Sequence, residues 1–321
     1  MAARDVYTCH SSLEWKPSKI MSGTNIARLF LLGAIWGSSF MLMRIAAPAL
    51  GPLTTAFGRI LLGGIALYLF ARSRGIDFSW RRNGRIYLVI GVVNTAVPFA
   101  LFAWAALHVP SAYSATMNAM APVFTGMFGF LLLAERLTAA RAAAFALGLI
   151  GVAVLVRIGP VPITAQVVLG ILAGLSAAVC YGFAAVFTRM KAADIPPLAT
   201  ATGSQLSAAL ALLPFALPEL PHAVAHGTPA AGLALAVLGI VCTGLAYALF
   251  FQLISAEGPG KAVMVTFLIP AAAAIWARLF LGEPITAGTV AGLIVVLCAT
   301  ALALGLFGQV KSLLRPAAVK P

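Results

Sequence analysis

Residues 111–134 read SAYSATMNAMAPVFTGMFGFLLLA, a run without one charged side chain. A helix needs roughly 20 apolar residues to cross the hydrocarbon core of a bilayer, and this run exceeds that. It is apolar all round, so no face of it asks for water. A barrel strand would alternate over about ten residues, and this run does not alternate. It reads as a membrane-spanning helix. Punctuation by Pro, Gly and charge marks nine more segments of the same kind, at 27–47, 53–71, 86–107, 139–158, 166–188, 198–217, 231–254, 262–281 and 287–308. The expected fold class is an all-α integral membrane protein with ten transmembrane helices.

Composition agrees with that reading. Of 321 residues, 62% are hydrophobic and 9% charged, against about 25% charged in a soluble domain. With 21 basic and 8 acidic side chains, a water-soluble surface of this size cannot be covered. The net charge of +13 would suggest nucleic acid in a soluble chain, but no basic stripe with interleaved aromatics is present. The charge sorts by topology instead. With the N-terminus cytoplasmic, the inner side receives Arg4, Lys16, Lys19, Arg28, the stretch Arg72 to Arg85, Arg136, Arg141, Arg189, Lys191, Lys261, Lys311, Arg315 and Lys320. The outer side receives Arg157 and Arg278. That asymmetry follows the positive-inside rule and places both termini in the cytoplasm of a cell whose inner or plasma membrane holds the chain. Residues 1–20 show no apolar periodicity, and Met21 offers a second start close to the first helix. Cys9, Cys180, Cys242 and Cys298 are scattered singly, with no metal-ligand spacing.

The chain also repeats itself. At an offset of 148, Ala100-Leu101-Phe102 aligns with Ala248-Leu249-Phe250, Pro122 with Pro270, Glu135 with Glu283 and Thr138-Ala139 with Thr286-Ala287. At 145, Trp36-Gly37 and Arg44 align with Tyr181-Gly182 and Arg189. Five helices per copy is an odd number, so the second copy enters the membrane upside down, an arrangement that recurs in secondary transporters. The expected organisation is an N-terminal tail 1–26, a first five-helix repeat 27–158, an outer linker 159–165, a second repeat 166–308 and a basic tail 309–321, both tails being cytoplasmic.

The run Ala34-Ile35-Trp36-Gly37-Ser38-Ser39-Phe40 resembles the opening signature of the drug/metabolite transporter superfamily, EamA-type permeases. Arg59 and the modules Pro122 to Glu135 and Pro270 to Glu283 are similar to the same family, and the likeness covers about residues 27–308. The resemblance implies ten helices in two repeats, a central cavity and alternating access. Members of such a family export amino acids, related metabolites or drugs.

Candidate functional residues follow from what hydrocarbon makes costly. Arg44 and Arg59 are the basic residues inside helices, and a charge at membrane depth suggests a substrate or gate role. Both lie near helix ends, so snorkelling to the interface is the alternative. Trp36, Phe40 and Arg44 share one face of the first helix, beside Gly33 and Gly37, which suit either close packing or a cavity wall. Asn94, Asn118, Gln205 and Gln252, with Tyr181, Tyr247 and Trp104, are candidates for substrate contact or helix–helix hydrogen bonds. Trp104 and Gln252 align between the halves and would line opposite ends of an inverted cavity. Pro98, Pro122 and Pro270 interrupt backbone hydrogen bonds and suggest hinges or static kinks. Glu135 and Glu283 sit at helix ends beside Thr138 and Thr286, where each suits a cap on the following helix or a gate.

No carboxylate falls at mid-membrane, which argues against a proton-for-cation exchange mechanism. No HExxH, GxSxG or Walker pattern occurs, and the chain does not read as an enzyme. No cofactor or metal is expected. The expected partners are a small-molecule substrate and the lipid bilayer, without nucleic acid, in a monomer or homodimer. The function expected is secondary transport of a small metabolite such as an amino acid, by export or exchange, with efflux of drug-like compounds as the alternative and a channel as a less favoured one.

The topology has a direct test. A periplasmic phosphatase fused after Lys311 should be inactive, whether the chain starts at Met1 or at Met21. Strong activity in either fusion would require an odd number of spans.

Overall fold

The computed structural model describes residues 21–136 and 138–306; the expected tail 1–20, the basic tail 309–321 and the last residues of the final segment lie outside the described residues. Ten helical rods follow one another: α1 (Gly23–Leu50), α2 (Pro52–Ser73), α3 (Trp80–Ala105), α4 (Ser111–Leu133), α5 (Ala139–Arg157), α6 (Ala165–Lys191), α7 (Pro197–His226), α8 (Pro229–Glu257), α9 (Pro259–Leu281) and α10 (Ala287–Ala303). Among the described residues there is no strand, and nine rods are long and apolar enough to span; α10 is apolar but shorter. The protein is a multi-pass membrane protein. Short connections make successive rods antiparallel. One end of the bundle therefore carries Arg74, Glu135, Lys191 and Gly258, and the other carries Gly51, Val109, Arg157 and Glu283.

Several rods outrun the apolar windows. α1 starts at Gly23 rather than 27 because Ser22 caps it, accepting from Asn25 N at 3.3 Å. α3 starts at Trp80 rather than 86 and so includes Arg81, Arg82 and Arg85. α7 continues beyond 217 through a 3₁₀ turn at Leu217–Glu219 to His226. Helical hydrogen bonding persists past the hydrocarbon boundary, where side chains can be solvated, so apolarity alone underestimates helix length.

Irregularities recur in corresponding helices. α3 contains a π-helical stretch at Val92–Ala96 and α8 one at Val237–Leu245. α4 is broken between Asn118 and Ala121, and α9 between Ala262 and Val265. In hydrocarbon, unsatisfied peptide groups at such breaks cost several kcal/mol each unless they are repaired, by roughly the desolvation penalty of the group. The repair is visible at α4: Thr300 Oγ1 on α10 donates to Ala119 O at 2.6 Å. Pro122 follows that break directly, whereas Pro270 lies within the continuous stretch Val265–Leu281 and Pro98 just after the first π-helical stretch.

Each half packs on the other rather than on itself alone: α1 against α9, α2 against α7 and α8, α3 against α6 and α7, α4 against α6, and α5 against α10. Small residues permit it. A Cβ at Gly37 would stand 2.6 Å from Ala272 Cβ and 2.9 Å from Ile269 O, so α1 and α9 touch backbone to backbone. Trp276 Nε1 locks the same interface by donating to Ala34 O at 2.9 Å. The αL cap ending α9 is Gly282 (φ 67°), while the one ending α4 is Ala134 (φ 53°), where a side chain strains the backbone.

Two substitutions separate these effects. Gly37→Leu should lower the unfolding midpoint in detergent strongly, by overpacking worth about 1–3 kcal/mol or more. Ala134→Gly should raise it, by up to about 1 kcal/mol, by relieving the left-handed residue. A Gly37→Leu protein as stable as its parent would contradict the close helix contact.

A candidate binding cavity between the two halves

Where α1, α2, α3, α4, α6, α8 and α9 converge, the bundle leaves a cavity of about 380 Å³. That volume suits a small metabolite. The approach of α2 to α8 sets its most polar wall. A Cβ at Gly63 would stand 2.5 Å from Thr243 Cγ2, and one at Gly239 would stand 2.4 Å from Leu62 Cβ, so only glycine lets the two backbones meet. This contact brings Arg59 of α2 within reach of the π-helical stretch of α8. Arg59 Nε donates to Thr243 Oγ1 at 3.2 Å, and Thr243 Oγ1 donates to Leu238 O at 2.9 Å.

Arg59 does not snorkel. It is 7% exposed and turns into the cavity, its guanidinium carbon 4.0 Å from the centre of the Phe99 ring. Its NH1 faces Met43 Sδ at 3.9 Å, a weak acceptor. A guanidinium carries five N–H donors, and among the described residues the Thr243 hydroxyl is the one oxygen that accepts from it. No carboxylate lines the cavity. Ser39 Oγ, also on the wall, is buried without a partner among the described residues.

Much of the remaining lining is aromatic. Trp36 meets Tyr247 edge-on at 6.2 Å between centroids and Phe250 at 5.2 Å, while Tyr181 stacks on Phe102, which in turn meets Phe40 edge-on at 5.5 Å. Asn94 of α3 and Asn118, at the break in α4, add two amides, and Thr125 and Thr266 add hydroxyls. Both asparagines sit beside irregular backbone, which in a membrane is tolerated where it is buried in protein or lines a cavity.

Of the residues singled out from sequence, Trp36, Arg59, Asn94, Asn118, Tyr181, Tyr247 and Pro122 line this cavity. Trp104, Gln205, Gln252, Pro98 and Pro270 are outside it. Gln252 is exposed on α8, and Trp104 meets the His108 ring at a tilt with centroids 4.4 Å apart, so the two do not form opposite ends of one chamber. Gln205 is 1% exposed and packs near Gly64, its amide atoms without a described partner. Helices apolar all round give no sequence signal for which face meets protein and which meets lipid. Thr243, Phe99, Met43 and Phe250 were missed for that reason. Thr243 had one signal: it stands 148 residues after Thr95, each inside a π-helical stretch.

The helix-end charges form a second arrangement. Arg44 Nε pairs with Glu283 Oε1 at 2.8 Å, and its NH1 donates to Ala106 O at 3.1 Å and Val109 O at 2.6 Å. Glu283 does not cap α10, whose N-cap is Thr286; it accepts from Ser111 N at 2.9 Å and Ser111 Oγ, thereby capping the start of α4. At the other end Glu135 pairs with Arg189 and with Arg141 NH2, the latter at 2.8 Å, while Thr138 caps α5. The hydrogen bond from Arg189, together with that from Arg141, holds the Glu135 carboxyl below the usual carboxylate range. Among the described residues no cluster of three or more metal-ligating side chains occurs.

The model of the EamA-like transporter family matches residues 25–157 and again 168–305. The chain is 27% identical to Protein PecM of Dickeya dadantii (strain 3937), over 84% of this chain and 89% of that one. It is 25% identical to the uncharacterized transporter YvbV of Bacillus subtilis (strain 168), over 85% and 89%. It is likewise 25% identical to a protein of Streptantibioticus cattleyicolor named "Probable terminal-alkyne amino-acid exporter", over 79% and 84%. A solved crystal structure superposes with a TM-score of 0.61 at 20% identity, covering 88% of this chain and 96% of that chain, which is a likeness of fold.

The Thr243 hydroxyl can be tested alone. Thr243→Val should lower stability in detergent by about 1–3 kcal/mol, the usual cost of stranding a buried donor, and Thr243→Ser should not. Equal melting of the two variants would show that the hydroxyl does not hold the guanidinium.

Proposed function

The chain belongs to the EamA-like transporter family, and from that premise we propose that it moves a small carboxylate-bearing metabolite, such as an amino acid, across the cytoplasmic membrane by alternating access. The observation that carries this reading is Arg59, a buried guanidinium that faces a cavity without a carboxylate. A charge held away from water is strongly disfavoured unless it is paired. A substrate carboxylate supplies the missing partner, and the planar fork of arginine suits two parallel hydrogen bonds to it. The ammonium of a zwitterion would rest against aromatic faces of the lining such as Trp36 and Phe250, and Asn94, Asn118 and Ser39 offer hydrogen bonds to other polar atoms. The printed name of the Streptantibioticus relative supports an amino acid. The largely aromatic wall supports efflux of drug-like compounds as the second reading.

The proposed direction is export, as in the name of the Streptantibioticus relative, with both termini cytoplasmic in accord with the basic asymmetry. The end that carries Arg74, Glu135 and Lys191 is then cytoplasmic, and the Glu283 end faces outward. Arg59 also bears on coupling. An empty cavity that closes would seal an unpaired cation in low dielectric, so the loaded carrier reorients more readily than the empty one and exchange outpaces net flux. With no carboxylate at depth to carry a proton, this exchange runs independently of the pH gradient.

Proteoliposomes loaded with a panel of unlabelled amino acids and assayed for counterflow of the radiolabelled forms provide the test. Arg59→Ala should reduce counterflow about a hundredfold or more, in line with loss of a buried charge pair worth roughly 2–5 kcal/mol, and Arg59→Lys should retain part of it. Collapse of the pH gradient should leave counterflow unchanged. Near-normal transport by Arg59→Ala would refute the carboxylate reading, and counterflow that vanishes with the gradient would refute the coupling.

A further inference from the structure

The two helix-end ion pairs are related by the repeat. Arg44 corresponds to Arg189 at an offset of 145 and Glu135 to Glu283 at 148, and each arginine pairs with the glutamate of the other half. Their surroundings differ. The Arg44 and Glu283 pair is docked on the junction between α3 and α4: Arg44 holds the carbonyls of Ala106 and Val109, and Glu283 holds the amide of Ser111. Every residue from Val109 to Met117 is buried there, and the two charged side chains are 31% and 13% exposed.

The corresponding junction at the other end lies between α8 and α9, at residues 254–260. Among the described residues neither Arg189 nor Glu135 bonds to it, and the two side chains are 63% and 29% exposed. Glu257 in that junction is held instead by Asn25 Nδ2 of α1 at 2.7 Å and by Lys261 Nζ at 2.8 Å. On this side Ala185, which lines the cavity, is exposed, and Thr125 is half-buried. One pair is thus docked over a stretch that is buried from Val109 to Met117, and its counterpart is formed but undocked at the end where a cavity-lining residue, Ala185, is exposed.

We infer that the two pairs are reciprocal latches: Arg44 with Glu283, docked on residues 106–111, closes one end, and Arg189 with Glu135, by docking on residues 254–260, closes the other. This rests on the alternating-access reading above. Each latch crosses between the halves, so the rotation that docks one undocks the other. An ion pair kept intact throughout also never leaves a lone charge at the membrane boundary. What switches is the set of backbone carbonyls and amides that the pair satisfies. The Asn25 contact to Glu257 must release when the second latch docks, which makes it part of the open state.

The test reads opening without any substrate. In the full chain with Cys9, Cys180, Cys242 and Cys298 replaced by alanine, a Ser39→Cys reporter on the cavity wall is labelled by a membrane-impermeant maleimide added from one face at a time. An Ile285→Cys chain identifies which face carries Glu283, because Ile285 is exposed beside it. The parent should label slowly from that face. Glu283→Gln should accelerate labelling about tenfold, as expected when one state loses roughly 1.4 kcal/mol of stabilisation relative to the other. Glu135→Gln, at a more exposed site where folding is least at risk, should slow labelling from the Glu283 face and speed it from the opposite face. Labelling that moves in the same direction in both variants, or in neither, overturns the latches. Reciprocal labelling without counterflow would instead sink the carboxylate reading and leave the latches standing.

Discussion

Hydrocarbon offers a peptide group no hydrogen-bond partner, and this single constraint shapes the whole molecule. It forces each crossing to be helical, and it allows a break only where another side chain or a wet cavity takes over the abandoned bond. The breaks in α4 and α9 and the π-helical stretches in α3 and α8 are therefore informative. Thr300 repairs one of them at Ala119. Two others bring Asn94 and Thr243 to the region of the cavity, so irregular backbone and the most polar part of the interior coincide. A bundle of ten regular helices would pack more simply and would have no reason to leave space at its centre.

The same constraint governs charge. The described acidic side chains sit at rod ends, in connections or, for Glu219, in the 3₁₀ turn of α7, and four of them bind across the chain: Glu283 to Arg44 and Ser111, Glu135 to Arg189 and Arg141, Glu257 to Asn25 and Lys261, and Glu219 to the amides of Leu53 and Thr54 at the start of α2. Acids at helix starts meet the positive end of the backbone dipole as well as a formal cation. Arg59 is the exception, a cation in the interior with a hydroxyl, a thioether and an aromatic face for company. On the carboxylate reading proposed above, its partner arrives with the substrate, which would link the electrostatics of the cavity to the chemistry of what it binds.

Close glycine contacts tie the two themes together. Without an apolar driving force between helices in lipid, packing depends on how nearly the backbones approach. Gly37 against α9 and Gly63 against α8 are positions where a methyl group would collide. These contacts join first-half to second-half helices, so the interfaces that hold the bundle together are also those across which one half would rotate on the other.

Much was legible in the residues themselves. The class of solvent, the all-helical fold, the helix count and the twofold internal likeness followed from uncharged runs, Pro and Gly punctuation and the recurrence of Pro122 to Glu135 in Pro270 to Glu283. Arg59 stood out because a charge inside an apolar run is costly wherever it points. Only tertiary structure decided where it points, and which of the other polar residues join it. Gln252 and Asn94 look alike in sequence, yet one is exposed on α8 and the other lines the cavity. Period and composition carry no sign for which side of an all-apolar helix faces lipid. The partnership of Arg189 with Glu135, and the capping of α4 by Glu283, were equally invisible, because they join residues 54 and 172 positions apart. The local sequence determined the helices, since each satisfies its own backbone. The site is a product of their packing, since it exists only where seven of them meet.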